Sequence, residues 1–356
     1  MTSFSAFDHA MMRRALELAE KGLYTTTPNP RVGCVVTREE KIVGEGWHER
    51  AGEPHAEVVA LEKAGSEAEG ATVYVSLEPC NHHGRTPPCA KKIVECKVKR
   101  VVAAMRDPNP KAAHGGGALQ AAGIRFEHGL MAEEARELNI GFVSRVTRGR
   151  PWVRLKVAAT LDGRTALANG TSQWITGAEA RRDGHRWRAR ACAILTGIGT
   201  VRADDPRLTV REVETPRQPL RVIVDSRLET PPTARILEGG NVLVFAGKAG
   251  PALRGAEVVV LPNQNQKVDL PSMLEELARR GVNELHVEAG FRLNGSLARE
   301  GCVDEYLVYL NPSFLGDAAQ GMLDLPAFES LEKRLTLKIL SVDRLGEDLR
   351  ILARPA

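Results

Sequence analysis

The sequence predicts an α/β protein built from two domains. At 356 residues the chain is longer than a single hydrophobic core usually supports, so we expect two. In both halves, segments with helical periodicity alternate with short apolar segments typical of strands, which is the pattern of α/β domains. The segment Arg148-Gly149-Arg150-Pro151 contains residues that interrupt regular structure. We place the junction there, which gives domains at residues 1–148 and 151–356.

The first half predicts a three-layer α/β domain. Apolar side chains at positions 7, 11, 15, 18 and 19 lie on one face of a predicted helix over residues 6–22. Pro54 is compatible with the first turn of the next helix. We expect His55 and Cys80 to follow strand ends and to begin helices, where the helix dipole favours a thiolate at Cys80. The further predicted elements are a hairpin (31–37 and 41–47), a helix (55–64), strands (71–77 and 100–105) and a helix (132–146).

The second half begins a new α/β pattern directly after the junction. The apolar segment 152–161 is suited to a central strand. Predicted helices cover 178–190, 271–280 and 291–300. The other predicted strands are 191–196, 220–225, 241–246, 284–288 and 306–310, with more strand structure over 335–352.

Composition narrows the function classes. Hydrophobic residues make up 43% and charged residues 26% of the chain, which is ordinary for a soluble globular protein. The net charge is only +4 and basic residues are scattered, which disfavours an extended nucleic-acid surface. The first residues contain neither a signal-peptide core nor a membrane-spanning segment, so we expect a cytoplasmic protein. The six cysteines form no disulfide framework, and a reducing compartment would keep them as thiols.

Two short segments predict a zinc site with its own proton carrier. They are His55-Ala56-Glu57 and Pro79-Cys80, the second followed by Cys89. One histidine nitrogen and two thiolates are good zinc ligands, and three protein ligands leave a coordination position for water. Zinc lowers the pKa of that water toward neutrality. The ordered pattern is typical of nucleobase deaminases, in which the glutamate is the general acid and base rather than a ligand.

The residues around this motif allow more than one interpretation. Eight residues separate Cys80 from Cys89, and we expect this loop to project over the site and to influence substrate choice. His82 and His83 in the loop could be ligands, but lining the pocket is favoured because a fourth protein ligand would displace the water. Asn29 is either part of a proline-containing turn or a group that binds the edge of a heterocycle. The other cysteines (34, 96, 192 and 302) are interpreted as buried, inert thiols.

Longer motifs resemble the bifunctional riboflavin-biosynthesis deaminase/reductase family. In the first half these are HAE (55–57), EPCNHHGRTPPC (78–89) and DPNP (107–110). In the second half they are KVAATLDGRTA (156–166), SQWITG (172–177), GIGTVRADDPRLTVR (197–211), VDS (224–226) and VEAG (287–290). The resemblance implies a cytidine-deaminase-like α/β/α domain followed by a dihydrofolate-reductase-like α/β domain. It also implies zinc and NADPH as cofactors and a homodimer assembled through the reductase half.

The resemblance further implies two consecutive reactions. The first replaces a ring amino group of 2,5-diamino-6-ribosylamino-4(3H)-pyrimidinone 5′-phosphate by oxygen. The second reduces the resulting 5-amino-6-ribosylaminouracil 5′-phosphate to its ribityl form with NADPH. Glu57, Lys156 and Glu288 would be catalytic, and His55, Cys80 and Cys89 would bind zinc. The second substrate would contact Ser172, Arg188, Leu208, Arg211 and Glu288, and NADPH would contact Ala158, Trp174, Thr200, Asp204, Ser226 and Gly290.

Ordinary structural roles remain open for several of these positions. Arg188 and Arg211 can grip a phosphate through paired, charge-assisted hydrogen bonds, but each could equally be a surface residue. Trp174 could be a core residue, and Asp204 could end a helix. Gly290 before a predicted helix offers phosphate a helix N-terminus, although a single glycine is weak evidence.

The chain departs from the family pattern at three places. Lys111–Gly117 is one residue shorter than the usual glycine-basic-glycine stretch of the family. If this loop holds the phosphate of the first substrate, either His114 replaces the missing contact or the affinity falls. Thr160 stands where serine is common, and Phe291 where proline is frequent.

Two other functions compete with this hypothesis. A deaminase acting on an RNA base would share the zinc chemistry, but the modest charge and the reductase-like half disfavour it. A ligand-binding protein with one inactive half is disfavoured, at least for the first domain, by the intact Glu57.

Overall fold

The computed structural model describes residues 4–84 and 87–356. The chain forms two compact units, Met1–Gly149 and Arg150–Ala356. Within the described ranges, no helix combines the length and apolar character needed to cross a bilayer.

The first unit is a five-stranded sheet in the order β2-β1-β3-β4-β5. Strand β1 is antiparallel to both neighbours, whereas β3, β4 and β5 are parallel. A Cβ at Gly33 would lie 2.0 Å from the carbonyl oxygen of Ala15, so glycine allows α1 to approach the sheet closely. The elements are α1 (Ala6–Glu20), β1 (Gly33–Arg38), β2 (Lys41–Trp47), α2 (Ala56–Ala64), β3 (Thr72–Leu77), α3 (Cys89–Glu95), β4 (Arg100–Met105), α4 (Gly115–Ala121), β5 (Arg125–His128), α5 (Ala132–Leu138) and α6 (Ile140–Arg148).

The second unit is a nine-stranded sheet with helices packed against it. The strand order is β11-β10-β9-β8-β12-β6-β13-β16-β15; the first seven are parallel and the last two form an antiparallel hairpin. The elements are β6 (Trp152–Thr160), β7 (Arg164–Ala166), α7 (Ala178–Arg190), β8 (Ala193–Gly197), α8 (Ile198–Asp204), β9 (Leu220–Val224), β10 (Val242–Ala246), β11 (Glu257–Val260), α9 (Leu270–Arg279), β12 (Glu284–Val287), α10 (Phe291–Arg299), β13 (Glu305–Asn311), β14 (Gln320–Gly321), β15 (Leu337–Leu345) and β16 (Asp348–Pro355).

The predicted α/β character is confirmed in both units, and most boundaries fall within two residues of the predicted ones. The single helix predicted over 132–146 is wrong, because the helix breaks at Asn139. The Asn139 side chain accepts from the backbone N–H of Arg31 (2.8 Å) and donates to the Arg31 carbonyl (2.9 Å). The break therefore lets one buried amide satisfy a backbone segment distant in sequence. The helices α4 and α8 and the strand β5 were not predicted, because each is short.

Candidate functional site

Two helix starts and one loop position the predicted zinc ligands. His55 is the N-cap residue of α2, in an extended conformation, and Cys89 is the first residue of α3. Cys80 lies in the loop after β3, so the expectation that it begins a helix is wrong. His55 likewise lies eight residues beyond the end of β2 rather than directly after a strand. The backbone N–H of Cys89 nevertheless points at the Cys80 sulfur, 3.4 Å away, so a helix N-terminus does face that thiol.

The three donor atoms converge on one position. His55 Nδ1 lies 3.2 Å from Cys89 Sγ and 3.6 Å from Cys80 Sγ. All three donors lie within 4.8 Å of one another. One imidazole nitrogen and two sulfurs are the donor types of a catalytic zinc site with an open position. The residues therefore fit a zinc ion without any rearrangement of the chain.

The two cysteines differ strongly in acidity. The Cys89 side chain donates a hydrogen bond to Cys80, and with the nearby His55 this lowers the pKa of Cys80 to about 4 although burial opposes the shift. The pKa of Cys89 is raised, because its thiol proton is held by Cys80 and because the group is buried. The pair thus offers one preformed thiolate, and a bound cation would favour loss of the second proton.

Glu57 is the second residue of α2 and is almost fully buried, with 3% of its surface exposed. Burial raises its pKa to about 7, although the nearby His55 opposes the shift. A carboxyl group with a pKa near the working pH can both accept and release a proton, as a general acid and base must.

Asn29 is held in a defined orientation by His48. His48 Nδ1 lies 3.1 Å from the Pro54 carbonyl oxygen, which can only accept, so this nitrogen carries the proton. His48 Nε2 then accepts from Asn29 Nδ2 at 3.0 Å, and this fixes which face of the amide is presented. The His48 ring also packs edge-on against that of His55, with centroids 5.1 Å apart. His48 was not among the residues predicted for the site; its position just after the predicted strand that ends at residue 47 was the available signal.

Glu78 holds the loop that carries Cys80. Its carboxylate accepts from the backbone N–H of Asp107 (3.2 Å) and from that of Gly116 at the start of α4 (2.8 Å). A Cβ at Gly115 would lie 1.7 Å from the Pro79 carbonyl oxygen, so only glycine permits this approach. The motifs 78–89, 107–110 and 111–117 thus meet in one place. These three motifs were recognised in the sequence, but no role was predicted for Glu78 or Asp107.

The loop between the two cysteines is only partly described. Arg85 and Thr86, which belong to the loop expected to influence substrate choice, lie outside the described residues. His82 is half-buried and His83 exposed. Within the described part of the chain, the metal-binding cluster contains His55, Cys80 and Cys89 and neither loop histidine. This favours the interpretation in which both histidines line the pocket.

A second cluster lies at the carboxyl ends of the parallel strands in the other unit. Glu288 follows β12, and its backbone N–H donates to the Leu195 carbonyl of β8 (2.8 Å). Its carboxylate accepts from Arg188 Nε (2.5 Å) and Nη2 (2.8 Å), a bidentate pair with α7. Lys156 Nζ of β6 lies 4.0 Å from Glu288 Oε2. Ligands in open α/β sheets bind at this edge.

The charges in this cluster stabilise one another. Burial opposes ionisation of Glu288, but the Arg188 guanidinium outweighs it and holds the pKa of the carboxyl well below its usual range. Burial lowers the pKa of Lys156, and Glu288 opposes that shift. Glu288 is therefore a fixed anion, in contrast with Glu57.

Of the six predicted cofactor positions, Gly290 and Thr200 are neighbours, Asp204 interacts with the predicted substrate residue Ser172, and the other three have separate surroundings. Gly290 is the N-cap of α10, and a Cβ there would lie 3.7 Å from Thr200 Oγ1, an ordinary contact distance, so these two residues are neighbours. Asp204 is the last residue of α8; burial raises the pKa of its carboxyl, and a hydrogen bond from Ser172 opposes the shift. The N-terminus of α10 has no side-chain cap, and such a helix N-terminus fits the phosphates of a dinucleotide.

The remaining three positions differ in their surroundings. Trp174 is 71% exposed and stacks on the Arg181 guanidinium, so its interpretation as a core residue is wrong. Ser226 Oγ accepts from the backbone N–H of Val268 (3.1 Å). Ala158 pairs with Tyr309 of β13.

Comparison with known proteins identifies both units. The family profile described as "Cytidine and deoxycytidylate deaminase zinc-binding region" matches residues 5–105, and "RibD C-terminal domain" matches residues 151–351. The "Riboflavin biosynthesis protein RibD" of Escherichia coli is 46% identical over 96% of this chain and 98% of its own length. That of Aquifex aeolicus is 44% identical over 97% of each chain.

Solved structures of similar proteins match the fold of this chain over nearly its full length. "Acinetobacter baumannii RibD, form 2" superposes with a TM-score of 0.92 at 44% identity, covering 98% of this chain and 99% of its own. The chain belongs to the RibD family. It is a bifunctional enzyme of riboflavin biosynthesis, with a zinc-dependent deaminase domain and an NADPH-dependent reductase domain.

Membership of the RibD family confirms the fold class, the two activities and both cofactors predicted from sequence. A further relative of known structure, from Thermotoga maritima, has a TM-score of 0.88 at 34% identity and covers 98% of this chain and 99% of its own. Its name describes a diaminohydroxyphosphoribosylaminopyrimidine deaminase/5-amino-6-(5-phosphoribosylamino)uracil reductase. The roles of individual residues are not tested by these comparisons and stay predictions.

Proposed function

We propose that this enzyme deaminates 2,5-diamino-6-ribosylamino-4(3H)-pyrimidinone 5′-phosphate and then reduces 5-amino-6-ribosylaminouracil 5′-phosphate with NADPH. We assign deamination to residues 1–148 and reduction to residues 151–356. The observation that carries the proposal is the convergence of His55, Cys80 and Cys89 beside the buried Glu57, in a chain that also carries the Lys156–Glu288–Arg188 cluster. The name of the Thermotoga relative supports the same pair of substrates.

In the deaminase domain we assign His55 Nδ1, Cys80 Sγ and Cys89 Sγ as the zinc ligands. When bound, zinc supplies the Lewis-acid chemistry that makes water a nucleophile at neutral pH. Glu57 would take a proton from the attacking water and deliver it to the departing amino group, which leaves as ammonia while the ring carbon gains oxygen. Asn29, fixed by His48, would present its amide to the edge of the pyrimidine ring.

In the reductase domain we assign Gly290, Thr200, Asp204, Ser226, Trp174 and Ala158 to the NADPH site. NADPH supplies the hydride when bound. We assign Lys156 and Glu288 to the reaction centre, where the anionic Glu288 holds both Lys156 and Arg188. Ser172 and Leu208 would contact the substrate.

The two arginines differ in their freedom to grip the substrate phosphate. Arg188 is largely buried and already binds Glu288 and the Thr209 carbonyl oxygen. Arg211 is exposed, and its Nη1 contacts Thr209 of the same segment. We therefore assign the direct phosphate contact chiefly to Arg211, with Arg188 behind it.

A homodimer through the reductase domain is part of the proposal. Among the described residues, β15 is an edge strand that pairs with β16 alone. Ile339 is 58% and Val342 54% exposed along it, and an apolar edge strand is a template for association. A second copy of this chain is the partner implied by the family resemblance. Wild-type protein should sediment as a dimer and Val342→Glu as a monomer; identical sedimentation would contradict this interface.

We further propose that the substrates are free small molecules rather than nucleic acid and that the enzyme works in the cytoplasm. The scattered basic residues and the net charge of +4 support the first point. The six free cysteines, including two proposed zinc ligands, support a reducing compartment. Ammonia release from an RNA stem-loop, or an extracytoplasmic location in cell fractions, would contradict these assignments.

A coupled assay tests the two reactions separately. The diaminopyrimidinone phosphate is supplied with and without NADPH, and ammonia release and NADPH absorbance are followed independently. We expect ammonia in both cases and NADPH oxidation only after deamination. Cys80→Ser should lose zinc and ammonia release while still oxidising NADPH with supplied deaminated substrate. Full zinc content and full deamination in Cys80→Ser would rule out the site assignment.

A further inference from the structure

The segment Leu208–Arg211 has an unusual backbone for a substrate-binding element. It follows α8 and belongs to no helix or strand, and Leu208 has a φ of 49°. Within the segment, the side chains of Leu208 and Val210 are buried. Polar backbone groups in such a segment must find partners outside a regular ladder. Those partners are side chains.

Three side chains bracket the segment. The backbone N–H of Arg211 donates to His185 Nδ1 of α7 (3.1 Å). The Gln218 side-chain amide accepts from the Val210 N–H (2.8 Å) and donates to the Val210 carbonyl (3.1 Å), much as a neighbouring strand would. Arg188 Nη1 donates to the Thr209 carbonyl (3.1 Å).

We propose that His185 and Gln218 are positioning residues of the reductase, which hold Leu208–Arg211 so that the Arg211 guanidinium meets the substrate phosphate beside Arg188. The inference rests on the proposed contact of Arg211 with that phosphate. Neither residue touches substrate; both act through the backbone of the segment.

The geometry also defines the form of His185 that is required. An Nδ1 that accepts from a backbone N–H carries no proton, so the ring proton is on Nε2, which lies 3.9 Å from Glu212 Oε1. Burial, with Arg188 and Arg211 nearby, lowers the pKa of His185 to about 4, so this form persists at neutral pH.

Substitutions separate this role from simple structural support. His185→Phe keeps the ring volume but removes the acceptor, and should raise the KM for ribosylaminouracil phosphate about 3- to 10-fold, the range expected for one hydrogen bond. His185→Asn places Oδ1 near the original Nδ1 and should restore a near wild-type KM. Gln218→Leu, at an exposed position, should raise the KM about 2- to 5-fold. The KM for NADPH and the deaminase activity of the same chain should not change.

Thr215→Val provides the matched control. It removes a hydroxyl that, among the described residues, hydrogen-bonds to the backbone of Arg217 in the same stretch, and should leave every parameter unchanged. Because His185 acts through Arg211, adding His185→Phe to Arg211→Ala should raise the substrate KM less than twofold further.

Three results would overturn the inference. The first is an Arg211→Ala variant with a raised substrate KM beside His185→Phe and Gln218→Leu variants with normal values; this leaves the proposed function intact. The second is full additivity of His185→Phe and Arg211→Ala, because it shows that His185 acts independently. The third is a normal substrate KM in Arg211→Ala, which removes the phosphate contact itself and so rejects that part of the proposed function as well.

Discussion

Glu57 in the deaminase domain and Glu288 in the reductase domain are both largely buried carboxyl groups, yet their acidities move in opposite directions. Among the described residues no arginine pairs with Glu57, and burial raises its pKa to about 7. Glu288 is gripped by Arg188, and this ion pair lowers its pKa despite burial. The same side chain is thus suited to carry a proton in one domain and is held as an anion in the other. The neighbouring charge, not burial alone, decides the role.

The largest effect expected from this contrast is at Glu57. Glu57→Gln keeps the shape but cannot carry the proton, so deamination should fall roughly a hundredfold or more, the scale of a lost general acid and base. Zinc content and NADPH oxidation with supplied deaminated substrate should remain. Metal analysis and the two separate assays measure all three quantities. Unchanged ammonia release would mean that another group carries the proton.

Substitution of Arg211 or Arg188 should have the next largest effect, and it should be confined to the reductase domain. Arg211→Ala should raise the KM for ribosylaminouracil phosphate ten- to hundredfold, as expected for losing about 1.5–3 kcal/mol of interaction with a charged group. Arg188→Ala should raise it less, because the direct phosphate contact is assigned chiefly to Arg211, but should also destabilise the domain, because Glu288 would be left buried without its partner. Steady-state titration and thermal unfolding check the two parts. If NADPH affinity falls instead while substrate binding stays normal, the arginines serve the cofactor.

A glycine pair tests how far the deaminase site depends on placement rather than charge. A Cβ at Gly115 would collide with the Pro79 carbonyl oxygen, whereas one at Gly117 meets nothing within 4 Å. Gly115→Ala should therefore displace Cys80 and weaken zinc binding about tenfold, the scale seen when groups supporting a metal ligand are lost.

Gly117→Ala is the matched control, because it lies in the same helix. It should bind zinc normally and gain roughly 0.5–1 kcal/mol of stability, the usual benefit of alanine over glycine in a helix. Competition with a chelator gives both zinc affinities. Equal affinities in the two variants would show that the Pro79–Gly115 contact does not position Cys80.

The smallest expected effect is a dependence of the stability of the reductase domain on pH. His185 has a pKa of about 4 in the folded chain, below its ordinary value near 6.5, so the unfolded chain takes up the proton first as the pH falls. The stability of this domain should therefore decline between pH 6.5 and 4, by about 1 kcal/mol at pH 5.5 from this group. The charged groups near it are Arg188, Arg211, Glu212 and Glu288.

His185→Asn isolates that contribution, because asparagine does not titrate. Denaturant unfolding of both proteins at pH 7 and pH 5.5 should show a smaller loss of stability in the variant. The same loss in both would assign the pH dependence to other groups, for example the buried His286, whose pKa is also lowered by burial.

The sequence by itself determined the fold class, the two activities and both cofactors. The deaminase was predictable because a nucleobase deaminase of this type combines one histidine, two cysteines and a glutamate in a fixed order. The reductase activity and NADPH followed from the longer motifs that resemble the family. Periodicity was sufficient for long elements such as α1 and α7, which lie close to their predicted bounds. Short elements such as α4, and the break at Asn139, were not predicted, because a few residues carry too little periodic signal.

Only the tertiary structure decided how the candidate residues are supported. His48 fixes Asn29 across 19 residues, Glu78 binds Gly116 across 38, and Arg188 reaches Glu288 across 100. No local pattern encodes such contacts, because hydrogen bonds and ion pairs depend on where the sheet places distant segments. The opposite acidities of Glu57 and Glu288 follow from the same cause: sequence supplies the carboxyl group, and the fold supplies or withholds the arginine beside it.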